Sequence, residues 1–94
     1  MIYADKVVQF CYDGLLPQLR KHNFNIILRM VVNRHEIIGR LLEINELSYT
    51  LTVELVNTQI IFVKILRISE MEIIGDAHNS DEWRTQFTKV MRHE

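Results

Sequence analysis

A mainly β fold is what this chain predicts: a small, strongly bent, five-stranded antiparallel sheet with a helix on each side. Three observations predict it. Residues 24–74 form one apolar, β-favouring run with no proline and a single glycine, Gly39. Apolar residues in that run recur mainly with a period of two, the signature of strands. On both sides of it the spacing changes to the helical period. The chain has 94 residues, which suits one domain. Residues 1–76 hold the predicted sheet and its first helix, and residues 77–94 form a predicted helical extension.

In chain order, Tyr3, Val7, Phe10 and Cys11 fall at helical spacing across residues 3–13. Asp5 complements the positive helix start, and Gly14 can end the helix. Pro17 then suits the first position of a second turn, PQLRKHN. One kinked helix and two separate helices are both compatible with this pattern.

From Phe24 the period becomes two. Phe24, Ile26, Leu28, Met30 and Val32 share one face, and Asn25, Ile27, Arg29 and Val31 the other. Asn33-Arg34 supplies a tight turn, because asparagine tolerates positive φ. HEIIGRLLEI is the second strand, and its mid-strand Gly39 marks a bend or a close backbone approach. Asn45-Glu46-Leu47 turns the chain again. Tyr49, Leu51, Val53 and Leu55 then alternate with Thr50, Thr52 and Glu54 in a half-buried third strand. Asn57-Thr58 leads into QIIFVKIL, apolar on both faces, and a break near Arg67 leads into SEMEII. GDAHN is a polar connector. Ser80 or Asn79 can cap a last helix whose Trp83, Phe87, Val90 and Met91 form one apolar stripe.

QIIFVKIL poses a physical problem, since Lys64 is its only charge. A flat apolar strand with unpaired backbone groups templates aggregation. Pairing with a neighbouring copy solves this, and so does cover by a terminal helix; the expectation here is a closed oligomer.

Net charge is −1, with an even spread: three basic and two acidic residues in 1–22, five and six in 24–74, three and four in 75–94. That removes a global basic field, so any electrostatic binding must come from a local patch. Cys11 is the only cysteine, which excludes an intramolecular disulfide and points to a reducing, cytoplasmic setting. Its neighbours Val7, Val8 and Phe10 suit a buried small hydrophobe. No run reaches the roughly 18 apolar residues of a membrane span, and no secretory leader pattern is present, so no membrane role is expected.

Enzyme signatures are missing. His35-Glu36-Ile37-Ile38-Gly39 begins like a zinc-protease helix, but the second histidine is absent and the period is that of a strand. Asp76, His78 and Asp81 read as a solvated linker rather than metal ligands, and the glutamates along the strands read as solvent-facing charge. The expectation is a non-enzyme without cofactor or metal. Two features suit single-stranded RNA. One is the basic cluster Arg20-Lys21-His22. The other joins Asn45 and Tyr49 to Lys64 and Arg67: an amide for base edges, an aromatic for stacking and cations for phosphates. Tyr49 equally suits a core aromatic, and Arg20-Lys21 a solvated helix end. The Trp83 stripe suits packing, or a protein partner.

The order of these parts resembles the Sm-like fold, in particular the LSm and Hfq families. LLPQLRKHNFNIILRMVV resembles the helix and first strand of Hfq, including Leu19-Arg20-Lys21. IIGRLLEINEL resembles the second half of the first Sm motif, with Gly39 at its bend glycine, Leu41 at its core leucine and Asn45 at its usual aspartate. KILRISEMEII resembles the short second motif, with Arg67 at the arginine of its arginine-glycine pair. Ser48-Tyr49 stands in place of the family's methionine-asparagine pair, and Ile68 in place of the glycine after the arginine. The resemblance covers residues 15–74. It implies a bent barrel whose fourth and fifth strands pair between neighbours in a homomeric ring of five to seven subunits. It also implies binding of single-stranded, U- or A-rich RNA. By position Asn45 and Tyr49 would meet bases, Lys64 and Arg67 phosphates, and Arg20 and Lys21 would line the helix-bearing face. The alternative is a scaffold or assembly ring that holds a protein partner without RNA.

Overall fold

The structure, a computed structural model, describes residues 1–22, 26–76 and Arg84. It is mainly β, with an N-terminal helical region and one antiparallel sheet of six strands that is not closed. The strands are β1 (Ile2–Tyr3), β2 (Ile26–Val32), β3 (His35–Asn45), β4 (Thr50–Leu55), β5 (Ile60–Lys64) and β6 (Ile68–Asp76), in the order β1-β6-β2-β3-β4-β5. A 3-10 turn, Ile65–Arg67, joins β5 to β6. The predicted helix around Trp83 lies outside the described residues except for Arg84.

The helical region is continuous. α1 (Ala4–Gln9) passes through a π-helical turn, Phe10–Leu15, into α2 (Leu16–His22). Gly14 therefore does not end the helix. Leu16 keeps helical angles (φ −61, ψ −44), and its N–H donates to the carbonyl of Cys11, five residues back. Pro17 gives a physical reason for the wide turn. It has no N–H to return, and its ring crowds the turn before it; one extra residue per turn relieves both. Tyr3, read from spacing as the first helical residue, is extended (φ −98, ψ 166) and belongs to β1.

The strands follow the predicted periods. Ile26, Leu28 and Met30 enter the main core, where Val7, Cys11 and Leu15 of the helix meet Leu41, Leu51 and Val53 of the sheet. Ile27 faces the other way and packs with Ile38 in a small second cluster bordered by Val56 and Ile74. Both turns expected from asparagine pairs form. Asn33 and Arg34 have φ of 51 and 68, the double left-handed geometry of a two-residue hairpin whose twist matches its strands. In the β4–β5 hairpin Thr58 takes φ 73, and its N–H donates to the carbonyl of Leu55 at 3.0 Å.

Gly39 is required for space. A Cβ there would fall 2.3 Å from Cγ1 of Val53 and 2.8 Å from the carbonyl oxygen of Glu54. The β3 and β4 backbones thus approach more closely than any side chain allows. Register shifts add to the local distortion: one lies between Leu41 and Glu43 along β3, and two more lie between β2 and β6. Such irregularities bend a strand and increase its twist. The first places both Leu41 and Ile44 inward although three positions separate them. Among the described residues no helix is long and apolar enough to cross a membrane.

Candidate nucleic-acid interface

The turn between β3 and β4 organises one end of the sheet. Asn45 ends β3, and its Oδ1 accepts the N–H groups of Leu47 (3.0 Å) and Ser48 (3.1 Å). This is a side-chain-closed turn, the ordinary use of an asparagine at such a site. Tyr49 completes the turn with φ 53, a left-handed conformation unusual for an aromatic residue. Its carbonyl accepts the N–H of Ile65 at 2.9 Å, which ties the turn to the start of the β5–β6 connection. Asn45 pairs with Thr50 across β3–β4, and Thr50 pairs with Lys64 across β4–β5.

Asn45, Tyr49 and Lys64 therefore lie at the same end of three neighbouring strands. Arg67 is exposed in the 3-10 turn three residues after Lys64. Tyr49 is not the core aromatic that its alternation with Leu51 and Val53 also suited: it is 45% exposed and stands outside β4.

The helix supplies the other wall. The rings of Tyr12 and Tyr49 pack with centroids 5.9 Å apart at 59°, a tilted pair of the kind aromatic quadrupoles favour. Tyr12 Oη makes a long contact of 3.5 Å to the carbonyl oxygen of Glu46. Its phenol is held above its ordinary pKa, first by desolvation and then by the negative forms of Tyr49, Cys11 and Glu46, so it stays a neutral donor near pH 7. Arg20 donates from Nη2 to Oε1 of Glu46 at 2.8 Å. Lys21 lies in the last turn of α2, and its side chain lies outside the described set.

The predicted residues separate into two groups. Asn45, Tyr49, Lys64 and Arg67 gather at the β3–β4 turn and the β5–β6 connection. Arg20 reaches the same turn from the helix, but through a carboxylate that offsets its charge. Tyr12 and Glu46 complete the site, and sequence reasoning missed both. Tyr12 is one position past the buried Cys11 on the helix, and nothing in its spacing foretells a partner 37 residues on.

Other cations of the sheet are engaged in ion pairs. Arg29 donates from Nε to Glu36 at 2.8 Å, and its Nη1 lies 3.7 Å from Glu70 and 3.8 Å from Glu72. The bond to Glu36, foremost, holds its guanidinium above the ordinary value. Arg40 and Arg84 converge on Glu54 at 2.8 and 2.5 Å. The exposed apolar side chains concentrate near the site and along β5: Leu47 (97%), Leu66 (75%), Phe62 (74%) and Ile60 (53%). Among the described residues no three His, Cys, Asp or Glu side chains group as metal ligands. Comparison with protein-family profiles, curated proteins and solved structures returned no match.

Proposed function

We propose that this chain is a non-catalytic, self-assembling β module of the Sm-like kind that binds single-stranded RNA at the β3–β4 turn. In this reading β2–β6 form the strongly bent five-stranded barrel, and β5 of one copy pairs with β6 of the next to close a ring of five to seven. The observation that carries the reading is the placement of Tyr49, Asn45 and Lys64 side by side at one sheet end, beside a β5 edge that pairs with no second strand among the described residues. Tyr49 offers a stacking face, Lys64 and Arg67 meet phosphates, and the Asn45 amide borders the base. Arg20 and Lys21 extend the basic surface along the helix. A ring multiplies these modest sites through effective concentration.

The test is fluorescence anisotropy with U-rich, A-rich and mixed oligonucleotides at low salt. Arg67→Ala weakens binding and leaves the assembled mass unchanged. If oligonucleotides of every composition fail to bind the wild type, the RNA reading is wrong.

A second reading, an assembly ring that holds a protein partner, is favoured by two observations. Arg20 is already paired with Glu46, and Ile60, Phe62 and Leu66 present apolar surface. Affinity capture that recovers nucleic acid and no protein counts against it.

A further inference from the structure

We propose that β1 is a displaceable latch on the edge of β6, and that β5 of a second copy is the strand that displaces it. The inference rests on the self-assembly proposed above and adds its control.

Among the described residues the sheet ends at β5 on one side and at β1 on the other. β6 spans nine residues, yet β1 covers it at two positions only, Ile2 opposite Met71 and Tyr3 opposite Glu70. Behind β1 is therefore the longer edge, the one a partner strand needs. β5 spans five residues and, among the described residues, pairs on one side only, with β4. A five-residue strand can form a longer antiparallel ladder on β6 than a two-residue strand does.

Charge favours the exchange. Lys64 is the only charge on β5, while β6 carries Glu70 and Glu72. Among the described residues those two carboxylates and Glu36 share the guanidinium of Arg29, which leaves the edge a surplus of negative charge there. The apolar surfaces also correspond. Ile60 and Phe62 are 53% and 74% exposed on β5, and Ile73 is 40% exposed on β6.

The latch is lightly held. Tyr3 is 58% exposed, and of the two β1 side chains only Ile2 packs against the main core. Tyr3 also precedes the first residue of α1, so β1 can detach while the helix stays seated through Val7, Cys11 and Leu15. A closed latch lowers the apparent affinity between copies by the fraction of chains that are open. The N-terminal residues thereby set the concentration at which assembly begins.

The experiment is light scattering over a dilution series on the full-length chain and two variants. Prolines cannot donate to the ladder, so Ile2→Pro/Tyr3→Pro opens the latch. Its assembly midpoint falls to about one tenth of the wild-type concentration, the effect of one or two ladder hydrogen bonds. Tyr3→Cys/Glu70→Cys joins directly opposed positions. Oxidised, it stays at the single-chain mass of 11.2 kDa, and dithiothreitol restores assembly. A proline variant with the wild-type midpoint, or an oxidised pair that assembles like the wild type, overturns the latch and leaves self-assembly standing. If no form leaves the single-chain mass at any concentration, the assembly reading and the latch fail together. Should the prolines unfold the chain, the cross-linked variant decides alone.

Discussion

Arg20 and Glu46 meet at 2.8 Å, joining the second helical segment to the β3–β4 turn across the end of the sheet. Both side chains are largely exposed, 69% and 51%, so the pair adds little to stability. Its consequence is electrostatic. It places a carboxylate beside the tyrosine and the cations that the proposed interface uses.

Removing that carboxylate is therefore informative. Glu46→Gln keeps the size of the side chain and releases Arg20 to meet phosphate. Affinity for single-stranded RNA rises, and one more phosphate contact steepens the dependence of log affinity on log salt by about 0.7. Anisotropy titrations at several salt concentrations check this. An unchanged salt slope with unchanged affinity removes Arg20 from the interface.

Gly39 has a steric role. A methyl group there meets Val53 at 2.3 Å and the Glu54 carbonyl at 2.8 Å, and the backbone oxygen has nowhere to go without parting β3 from β4. Gly39→Ala lowers stability by about 2–3 kcal/mol, at the upper end of overpacking costs. Chemical denaturation measures it. A loss below about 0.5 kcal/mol contradicts the close approach, since surface-like changes stay within that range.

Glu54 is the centre of a mostly buried ion cluster. Its side chain is 13% exposed, and those of Arg40 and Arg84 are 18% and 19%. Glu54→Gln removes the carboxylate charge with which both guanidinium groups pair. The expected loss is about 2–4 kcal/mol, reduced from a fully buried pair by the residual solvent. Arg84→Ala costs less, because the Arg40–Glu54 pair remains. Equal stabilities for the wild type and Glu54→Gln contradict the cluster.

Cys11 is fully buried, and burial raises its thiol from 9.0 to about 12. The folded chain keeps its proton where the unfolded chain has lost it. Stability is therefore unaffected below pH 9 and declines as pH rises from 9 towards 12. The thiol's share of the slope is about 1.4 kcal/mol per pH unit. Cys11→Ala loses that share while other alkaline titrations remain, so the difference between the two pH curves isolates it. Near neutral pH the thiol reacts with a thiol-specific reagent only as fast as the chain opens. Rapid labelling of the folded protein contradicts the burial.

Much of the fold was legible because period and turn chemistry are local. The face of Ile26, Leu28 and Met30 and the turn at Asn33-Arg34 are both written in adjacent residues. Gly39 announced a close approach for the same reason. What escaped depends on contacts far apart in the chain. Gly14 read as a possible helix end and Pro17 as the start of a second turn, with one kinked helix or two both open; a π-helical turn carries the helix past Gly14 into α2, stabilised by packing of Cys11 and Leu15 against the sheet. Ile2-Tyr3 is too short to show any period and becomes a strand only because β6 offers an edge. At the site, Asn45, Tyr49, Lys64 and Arg67 were recognisable as residue types, the first two at a loop and the last two at the far end of the sheet. The approach of Tyr12 and Arg20 to that turn comes from the helix lying across the sheet end, which no local spacing encodes. The apolar character of the β5 segment was visible from sequence. Its division was not: Val63 and Ile65 are buried, while Ile60, Phe62 and Leu66 stand in solvent.

The most direct test of the account is the mass of the wild-type particle in solution, measured by light scattering from micromolar concentration upward. Ring assembly predicts a discrete species of five to seven chains of 11.2 kDa each. A mass of one chain at every concentration contradicts it.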